Sequence, residues 1–573
     1  MTAKVQDIYP LSPMQAGVLF HSLYQRDSDV YLGQYRGNVK GDLDVEAFRC
    51  AWSCLVERHT ALRTSFVWKD HEEPLQVVWD CAEMPFHIED LRTLEPPARE
   101  ARCLELEAAE WKRGFDLESA PLIRVTLLRL EDSVYRLIWM HHHIVLDGWC
   151  LSVLMTELLA AYESFSRGEP PQLPPAPPFS EYIGWLDQQD YAAAEQYWRK
   201  TLEGITQPGR LVPASRAATE RVRSDVYAEH RISLSPAVTA QVHAAARACR
   251  VTLNTVVQGA WAVLLNRYTG SSDVLFGVAV SGRPPAMPGV DRIIGNFVNT
   301  IVARVPVLEK TAVADWLQDL QQQQAEARQY EWTPLASIQK WADVPNGEPL
   351  FDSIVVFESY PSIELSEQRR RVFDIESFPY TGRTNYPLSL VVAPRGDLSL
   401  TLIFNQELLD TDAARRMMAH LEELLETMSY NPHAALGDIV LLDVRPFAAK
   451  VVPVTKGSQW APGLAATDLE ATLSRIWAGV FGHASVSIDD DFFDLGGDSI
   501  LSLQIVSRAE QAGIELTPRD IFDYPTIRSL VTRSVPAQKA AAAVADNSFG
   551  WSADDLSSIA AAISRSQQGG EEK

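Results

Sequence analysis

Apolar positions change their period several times along the chain, and the changes mark its elements. Val134-Tyr135-Arg136-Leu137-Ile138-Trp139-Met140 is a mostly apolar run of strand length and predicts a buried strand. His141, His142 and His143 follow it, and then Leu151, Leu154, Leu158 and Tyr162 recur at helical spacing. A helix is expected from near Leu151, with the histidines at the strand's end, where the chain turns through Asp147-Gly148. Period-two alternation would put His141 and His143 on one face and His142 on the other. Val274 to Val280 reads as another buried strand and ends in the turn Ser281-Gly282-Arg283-Pro284. Ala47 to His59, Phe179 to Leu186 and the residues around Tyr197-Trp198 have helical periodicity, and Pro13 suits a first helical turn capped by Ser12.

The pattern breaks at Glu169 to Phe179, where Pro170, Pro171, Pro174, Pro175, Pro177 and Pro178 require an extended, exposed crossing. It is lost again from Arg445 to Pro462, which predicts a linker. Thr467-Asp468-Leu469-Glu470 then reads as a capping box. Leu469, Leu473, Ile476, Trp477 and Val480 form the stripe of a helix that stops at Gly482. A second helix carries Ile500, Leu503 and Val506, and two short ones lie at 518–522 and 526–530. Together they predict a four-helix unit. Val535 to Asn547 is an alanine-rich flexible linker, and behind the capping signal Ser552-Ala553-Asp554-Asp555 comes a last apolar stripe of Leu556, Ile559 and Ile563. The expected divisions are 1–175, 176–443, a linker 444–464, 465–536, a linker 537–548, and 549–573.

At 573 residues the chain is too long for one ordinary core. A net charge of −24 argues against nucleic acid or an anionic membrane surface as a partner. Cys50, Cys54, Cys81, Cys103, Cys150 and Cys249 are scattered without a CxxC pair, which suits a reducing cytosol better than a disulfide framework. No secretory leader pattern and no long apolar span is read, so a cytoplasmic protein is expected.

The candidate chemistry sits at the histidines. A metal site needs three or four convergent ligands, and no Cys, His or Glu nearby has that spacing. Structural histidines and general-base chemistry remain, the latter needing a near-neutral group held by a carboxylate or carbonyl. His142-His143-Ile144-Val145-Leu146-Asp147-Gly148 has the form HHxxxDG and resembles the signature of the condensation domains of nonribosomal peptide synthetases. The opening YPLSPMQxGxLFHSL from Tyr9 resembles the first motif of that family, and HxxLRTxF from His59 its second. Ile294-Gly295-Asn296-Phe297-Val298-Asn299-Thr300 and Thr384-Asn385-Tyr386-Pro387-Leu388 resemble later ones, in the family's order. The resemblance implies an α/β condensation domain of two lobes, 1–175 and 176–443, like chloramphenicol acetyltransferase, with a tunnel between them. It implies amide formation between a donor thioester and an acceptor amine at His143, which would take the amine's proton or steady the tetrahedral intermediate. His142, Asp147 and Gly148 complete the signature, and Arg63 is expected to pair with Asp147, a structural brace.

Asp490 to Ser499 has the form DxFFDLGGDS and resembles the peptidyl carrier proteins. That likeness implies an all-α four-helix-bundle carrier domain with 4′-phosphopantetheine on Ser499, placed there by a phosphopantetheinyl transferase. A serine before a helix is also a plain N-cap, but a helix N-terminus favours a phosphate equally well. No adenylation domain lies between the two units, so an adenylating protein would act in trans. The implied partners are an upstream donor carrier and a downstream synthetase subunit engaged by the C-terminal helix within 549–573. Val5-Gln6-Asp7-Ile8-Tyr9 resembles the acceptor segment found where a partner ends in an epimerisation domain, and Cys150 follows Trp149 where most relatives carry serine. Both resemble domains that take a D-configured donor and an L-configured acceptor. The alternatives are an epimerisation domain, which normally follows its carrier, and a degenerate module that only recruits partners.

Overall fold

The computed structural model describes residues 3–24, 30–69, 71, 73–211, 227–345, 348–358, 374–376, 379–394, 396–442, 444, 466–497 and 499–533. The linker expected over 444–464, apart from residue 444, and the C-terminal helix expected within 549–573 lie outside the described residues.

The predicted buried strand is present as Val134–His142, at the centre of a six-stranded sheet. It pairs antiparallel with Leu32–Lys40 on one side and Ile123–Glu131 on the other, and Phe86–Asp90 continues the sheet in parallel. Helices Val45–Arg58 and Gly148–Ser166 pack beside it around Phe48, Trp52, Trp139, Leu154 and Leu158. Each such large side chain removed from water contributes roughly 1.5–3 kcal/mol before conformational entropy is counted. A smaller sheet of Val5–Pro10, Leu75–Trp79 and Thr64–Val67 flanks this lobe.

The second lobe is built on another six-stranded sheet, in the order Asn299–Pro306, Asp273–Val280, Ser353–Phe357, Leu388–Ala393, Ser399–Asn405 and Tyr227–Ser233. Helices Leu253–Thr269 and Thr411–Tyr430 cover it, and its core gathers Trp261, Phe276, Leu402 and Met418. Asp374–Glu376 and Tyr380–Gly382, within the stretch expected for this lobe, cross over and pair with Leu32–Lys40 of the first. Tyr380 comes to lie opposite Tyr35, and Gly382 opposite Gly33. The strap thus sews the two lobes together beside the histidine strand. The proline-rich crossing is without regular structure, as its composition requires, and is exposed or half-exposed up to Pro178, closing on the buried Phe179.

The four predicted C-terminal helices are Ala466–Phe481, Ser499–Gln511, Pro518–Asp523 and Ile527–Arg533. Leu473, Trp477, Phe492, Ile521 and Leu530 form their core. This bundle rests on helix Pro13–Tyr24 of the first lobe. The Phe522 ring lies 5.0 Å from that of Phe20 and 6.0 Å from that of Tyr24, and the Arg519 guanidinium sits 5.8 Å from the Tyr24 ring. Leu503 joins the first lobe's apolar cluster.

Candidate functional site

After His142 the chain turns tightly, with the Val145 N–H donating to the His142 carbonyl at 3.2 Å. It enters helix Gly148–Ser166 with Asp147 as the N-cap, so the helix starts three residues before the Leu151 read from periodicity. Gly148 is its first residue. The Asp147 carboxylate accepts from the Cys150 N–H at 3.0 Å and the Phe297 N–H at 3.1 Å. One guanidinium nitrogen of Arg283 lies 3.1 Å from each of its oxygens. The other terminal nitrogen of Arg283 donates to the carbonyls of Val290 at 2.6 Å and Ile293 at 2.9 Å, and the guanidinium lies over the Phe297 ring at 4.0 Å. The pair is almost fully buried, with side chains 4% and 1% exposed.

The expected Arg63–Asp147 pair is not formed, and the brace comes from the other lobe. Arg63 Nε donates to the carbonyls of Val56 and Glu57 at 3.1 Å, and a terminal nitrogen to Gln6 Oε1 at 2.8 Å and to the Trp79 carbonyl. The reason is geometric. A helix end leaves carbonyls without partners, and a planar fork of donors satisfies them at the C-terminus of Val45–Arg58. Asp147 meanwhile has its lone pairs taken by Arg283 and two backbone N–H groups.

His143 is half-buried at the junction. Its Nδ1 lies 3.1 Å from the Leu146 carbonyl. A carbonyl only accepts, so Nδ1 carries a proton and the neutral ring keeps its lone pair on Nε2. The Tyr380 hydroxyl meets that nitrogen. The backbone is held as well: the His143 N–H donates to the Tyr31 carbonyl at 2.8 Å, and Asn296 Nδ2 donates to the His143 carbonyl at 2.7 Å. Burial lowers the His143 pKa from its ordinary 6.5, opposed by the Leu146 hydrogen bond and the Asp147 charge. The imidazole is therefore predominantly neutral near neutral pH.

His142 is turned the other way. Its Nδ1 accepts from the Ile144 N–H at 3.2 Å, its Nε2 lies 3.5 Å from Ser22 Oγ, and burial pushes its pKa down to about 3. Both nitrogens serve the fold. His141 packs over Gly33, where a Cβ would come within 2.3 Å of its ring, and lies 5.2 Å from the His143 ring. The face alternation read from the sequence is present.

A cavity of about 1460 Å³ runs between the lobes and the helical bundle. Tyr31, Asn385 and Tyr386 line it, as do Phe493, Phe522 and Pro525 of the bundle. Asn385 ties this wall together, accepting from the Tyr31 hydroxyl at 2.7 Å and lying 3.0 Å from His21 Nε2. Ser499 opens helix Ser499–Gln511, and Gly496, just before it, holds a left-handed φ of 89° about 3.7 Å from Lys340 Nζ, measured from where its Cβ would stand. A helix N-terminus behind a glycine turn fits a phosphodiester-linked group on that serine.

Arg283, Asn296 and Tyr380 were not among the residues predicted from sequence. Arg283 sat in a turn after a buried strand and Asn296 in a recognised motif, so both had a signal without a role; Tyr380 had none.

The comparisons agree with this geometry. Residues 5–446 match the condensation-domain family, and residues 471–533 match the phosphopantetheine attachment site. One protein of the linear gramicidin synthase of Brevibacillus parabrevis is 39% identical over 444 residues, 77% of this chain and 6% of that protein. Another protein of the same synthase is 41% identical over 443 residues, 76% of this chain and 8% of that protein. The chain thus spans under a tenth of these curated relatives. The condensation domain of a monacolin K polyketide synthase has the same fold, with a TM-score of 0.62 at 17% identity over 76% of this chain and 100% of that one. A four-domain nonribosomal peptide synthetase bound to AMP and glycine aligns with a TM-score of 0.64 at 17% identity, over 77% of this chain and 34% of that one.

Proposed function

The chain belongs to the condensation-domain family and carries a phosphopantetheine-attachment domain behind it, and on that premise we propose that it joins a donor acyl thioester to an acceptor amine presented by its own carrier. The observation that carries this reading is the cavity walled jointly by both lobes and by the bundle face around Phe522, with Tyr31, whose carbonyl holds the His143 backbone, among its lining residues. Ser499 is the attachment residue in this reading. Bound there, the phosphopantetheine group supplies the thiol on which an aminoacyl residue is carried.

The acceptor nitrogen attacks the donor carbonyl carbon, the new C–N bond forms, the C–S bond breaks, and the thiolate leaves. His143 Nε2 takes the proton that the amine loses and returns it to the departing sulfur. Nδ1 keeps its own proton throughout, held by Leu146. Positioning supplies most of the rate, because holding both reactants at attack distance removes roughly 7–11 kcal/mol of barrier. Asp147 acts through structure, tying the His143 turn to Arg283 and Phe297 across the lobe junction.

The finer reading is a D-configured donor and an L-configured acceptor. Cys150 is fully buried, its thiol donating to the Gly295 carbonyl at 3.1 Å. It would act on stereochemistry through the loop it anchors, not by touching the donor. The reading extends to a separate donor carrier, an adenylating protein in trans, a phosphopantetheinyl transferase and a following subunit. The test loads Ser499 from an aminoacyl-CoA with a phosphopantetheinyl transferase and offers donor carriers bearing D- or L-terminated acyl groups. Product is read as mass on Ser499, and a preference for the L donor ends the finer reading alone. No transfer from any donor onto the loaded chain overturns the proposal.

A further inference from the structure

Tyr380 stands where the chemistry needs space, and several independent constraints put it there. Its strand pairs with Leu32–Lys40 so that Tyr380 is directly opposite Tyr35, with ring centroids 4.7 Å apart. Two residues on, Gly382 faces Gly33, and the two glycines do matching work. A Cβ on Gly33 would strike the His141 ring at 2.3 Å, and a Cβ on Gly382 would strike the Tyr380 hydroxyl at 2.1 Å. Two bare backbone positions in register therefore let two rings, His141 and Tyr380, lie flat in front of His143. Their planes are 27° apart, and the Tyr380 ring meets that of His143 nearly edge-on at 78°. The phenol arrives from the second lobe's part of the chain, while the histidine belongs to the first.

The tautomer settles the direction of the contact. Nδ1 of His143 donates to Leu146, so Nε2 accepts and the Tyr380 hydroxyl donates. That lone pair is the one an acceptor amine needs. We propose that Tyr380 is a positioning residue of the amide-forming site, whose hydroxyl holds Nε2 of His143 in its accepting state until the acceptor amine takes over that hydrogen bond. This rests on His143 being the reacting histidine. The exchange moves no covalent bond; one donor to Nε2 replaces another, and the phenol, half-buried in the resting site, rotates away.

A hydrogen bond donated to the neutral form disfavours the charged form, so Tyr380 helps to keep His143 unprotonated. The other groups near the imidazole are His141 on its strand, Asp147 in its turn, and Arg283 behind Asp147, with neutral Asn296 on the backbone, while His142 points to the opposite face. Burial works in the same direction as Tyr380, and the Leu146 hydrogen bond and the Asp147 charge work against it.

The test is Tyr380→Phe in the full chain, with Gly382→Ala as a second variant that displaces the ring while keeping the phenol. The His143 imidazole is titrated by NMR with labelled histidine, its signal assigned by loss in His143→Ala. Both variants should raise the titration midpoint. The acid limb of product formation should move up with it, so that the variants lose about three- to tenfold more rate at pH 6 than at pH 8. Thermal unfolding checks that both are folded. An unshifted midpoint in folded Tyr380→Phe overturns the role of Tyr380, whatever the activity. A shifted midpoint with full product formation in His143→Ala instead overturns the reading of His143.

Discussion

Substituting Arg283 should damage both stability and the His143 turn, although Arg283 touches neither reactant. Arg283→Met removes the only charged partner found for Asp147 among the described residues and leaves a carboxylate that is 1% exposed. Removing one member of a buried ion pair costs about 3–5 kcal/mol. Two backbone N–H groups still donate to Asp147, at 3.0 and 3.1 Å, so the lower end, ~3 kcal/mol, is expected here. Asp147→Asn should cost less, because Arg283 keeps its carbonyl partners at Val290 and Ile293 and its place over Phe297. The two residues share one bond network, so the double variant should show a coupling of about 2 kcal/mol or more. Asp147 and Arg63 share no partner, and that cycle should be additive within ~0.5 kcal/mol. Urea unfolding followed by tryptophan fluorescence reads both cycles, with Trp149 only 5.6 Å from Arg283. Product formation should fall by roughly 10²-fold in Arg283→Met, since a displacement of ~1 Å at the reacting groups costs about that much. A loss of stability below ~1 kcal/mol, or a coupling that appears with Arg63 instead of Arg283, refutes the reasoning.

Intact-mass analysis after treatment with CoA and a phosphopantetheinyl transferase should show one added pantetheine arm, absent in Ser499→Ala; an addition that persists there contradicts the assignment of Ser499. The purified chain given ATP and amino acids should form no aminoacyl thioester, because only residues 447–470 separate its two matched domains, and radiolabel on the protein would contradict this. Stability should be level from about pH 7 to about pH 8 and fall on acidification. Burial lowers His21 to about 4 and His142 to about 3, so the unfolded chain takes up protons near 6.5 while the fold does not. Each such histidine costs up to ~1.4 kcal/mol per pH unit between those limits, and a urea midpoint unchanged from pH 7 to pH 5 would contradict it.

Much of this was legible because it is local. The strand before the histidines, the Ser12 cap and the bundle helices follow from period and capping, which short windows carry. Ser12 and Gln15 do exchange hydrogen bonds, Gln15 N–H to Ser12 Oγ at 3.3 Å and Ser12 N–H to Gln15 Oε1 at 2.9 Å. Near helix ends the same reasoning was less exact. Helix Ala466–Phe481 begins one residue before Thr467, the cap that the capping-box pattern predicts. Periodicity alone puts Asp147 in a turn, although a carboxylate just before a helical run is also a capping signal, and Asp147 is the N-cap. What stayed hidden is tertiary. Arg63 and Arg283 are both arginines beside turns, and nothing in either window says which crosses the lobe junction to Asp147. Tyr380 reaches His143 through a strand register and two glycines that are 349 positions apart in sequence, Gly33 and Gly382. No local pattern encodes that meeting.

In the proposed reaction His143 performs the amide-forming step on an acceptor held by the chain's own carrier. The most direct measurement is a rapid-quench single turnover with Ser499 aminoacylated and a loaded donor carrier, comparing the unaltered chain with His143→Ala. Loss of a positioned base should slow product formation about 10²–10⁴-fold while the loading of Ser499 stays complete. Product appearing at the same rate in His143→Ala would contradict the account.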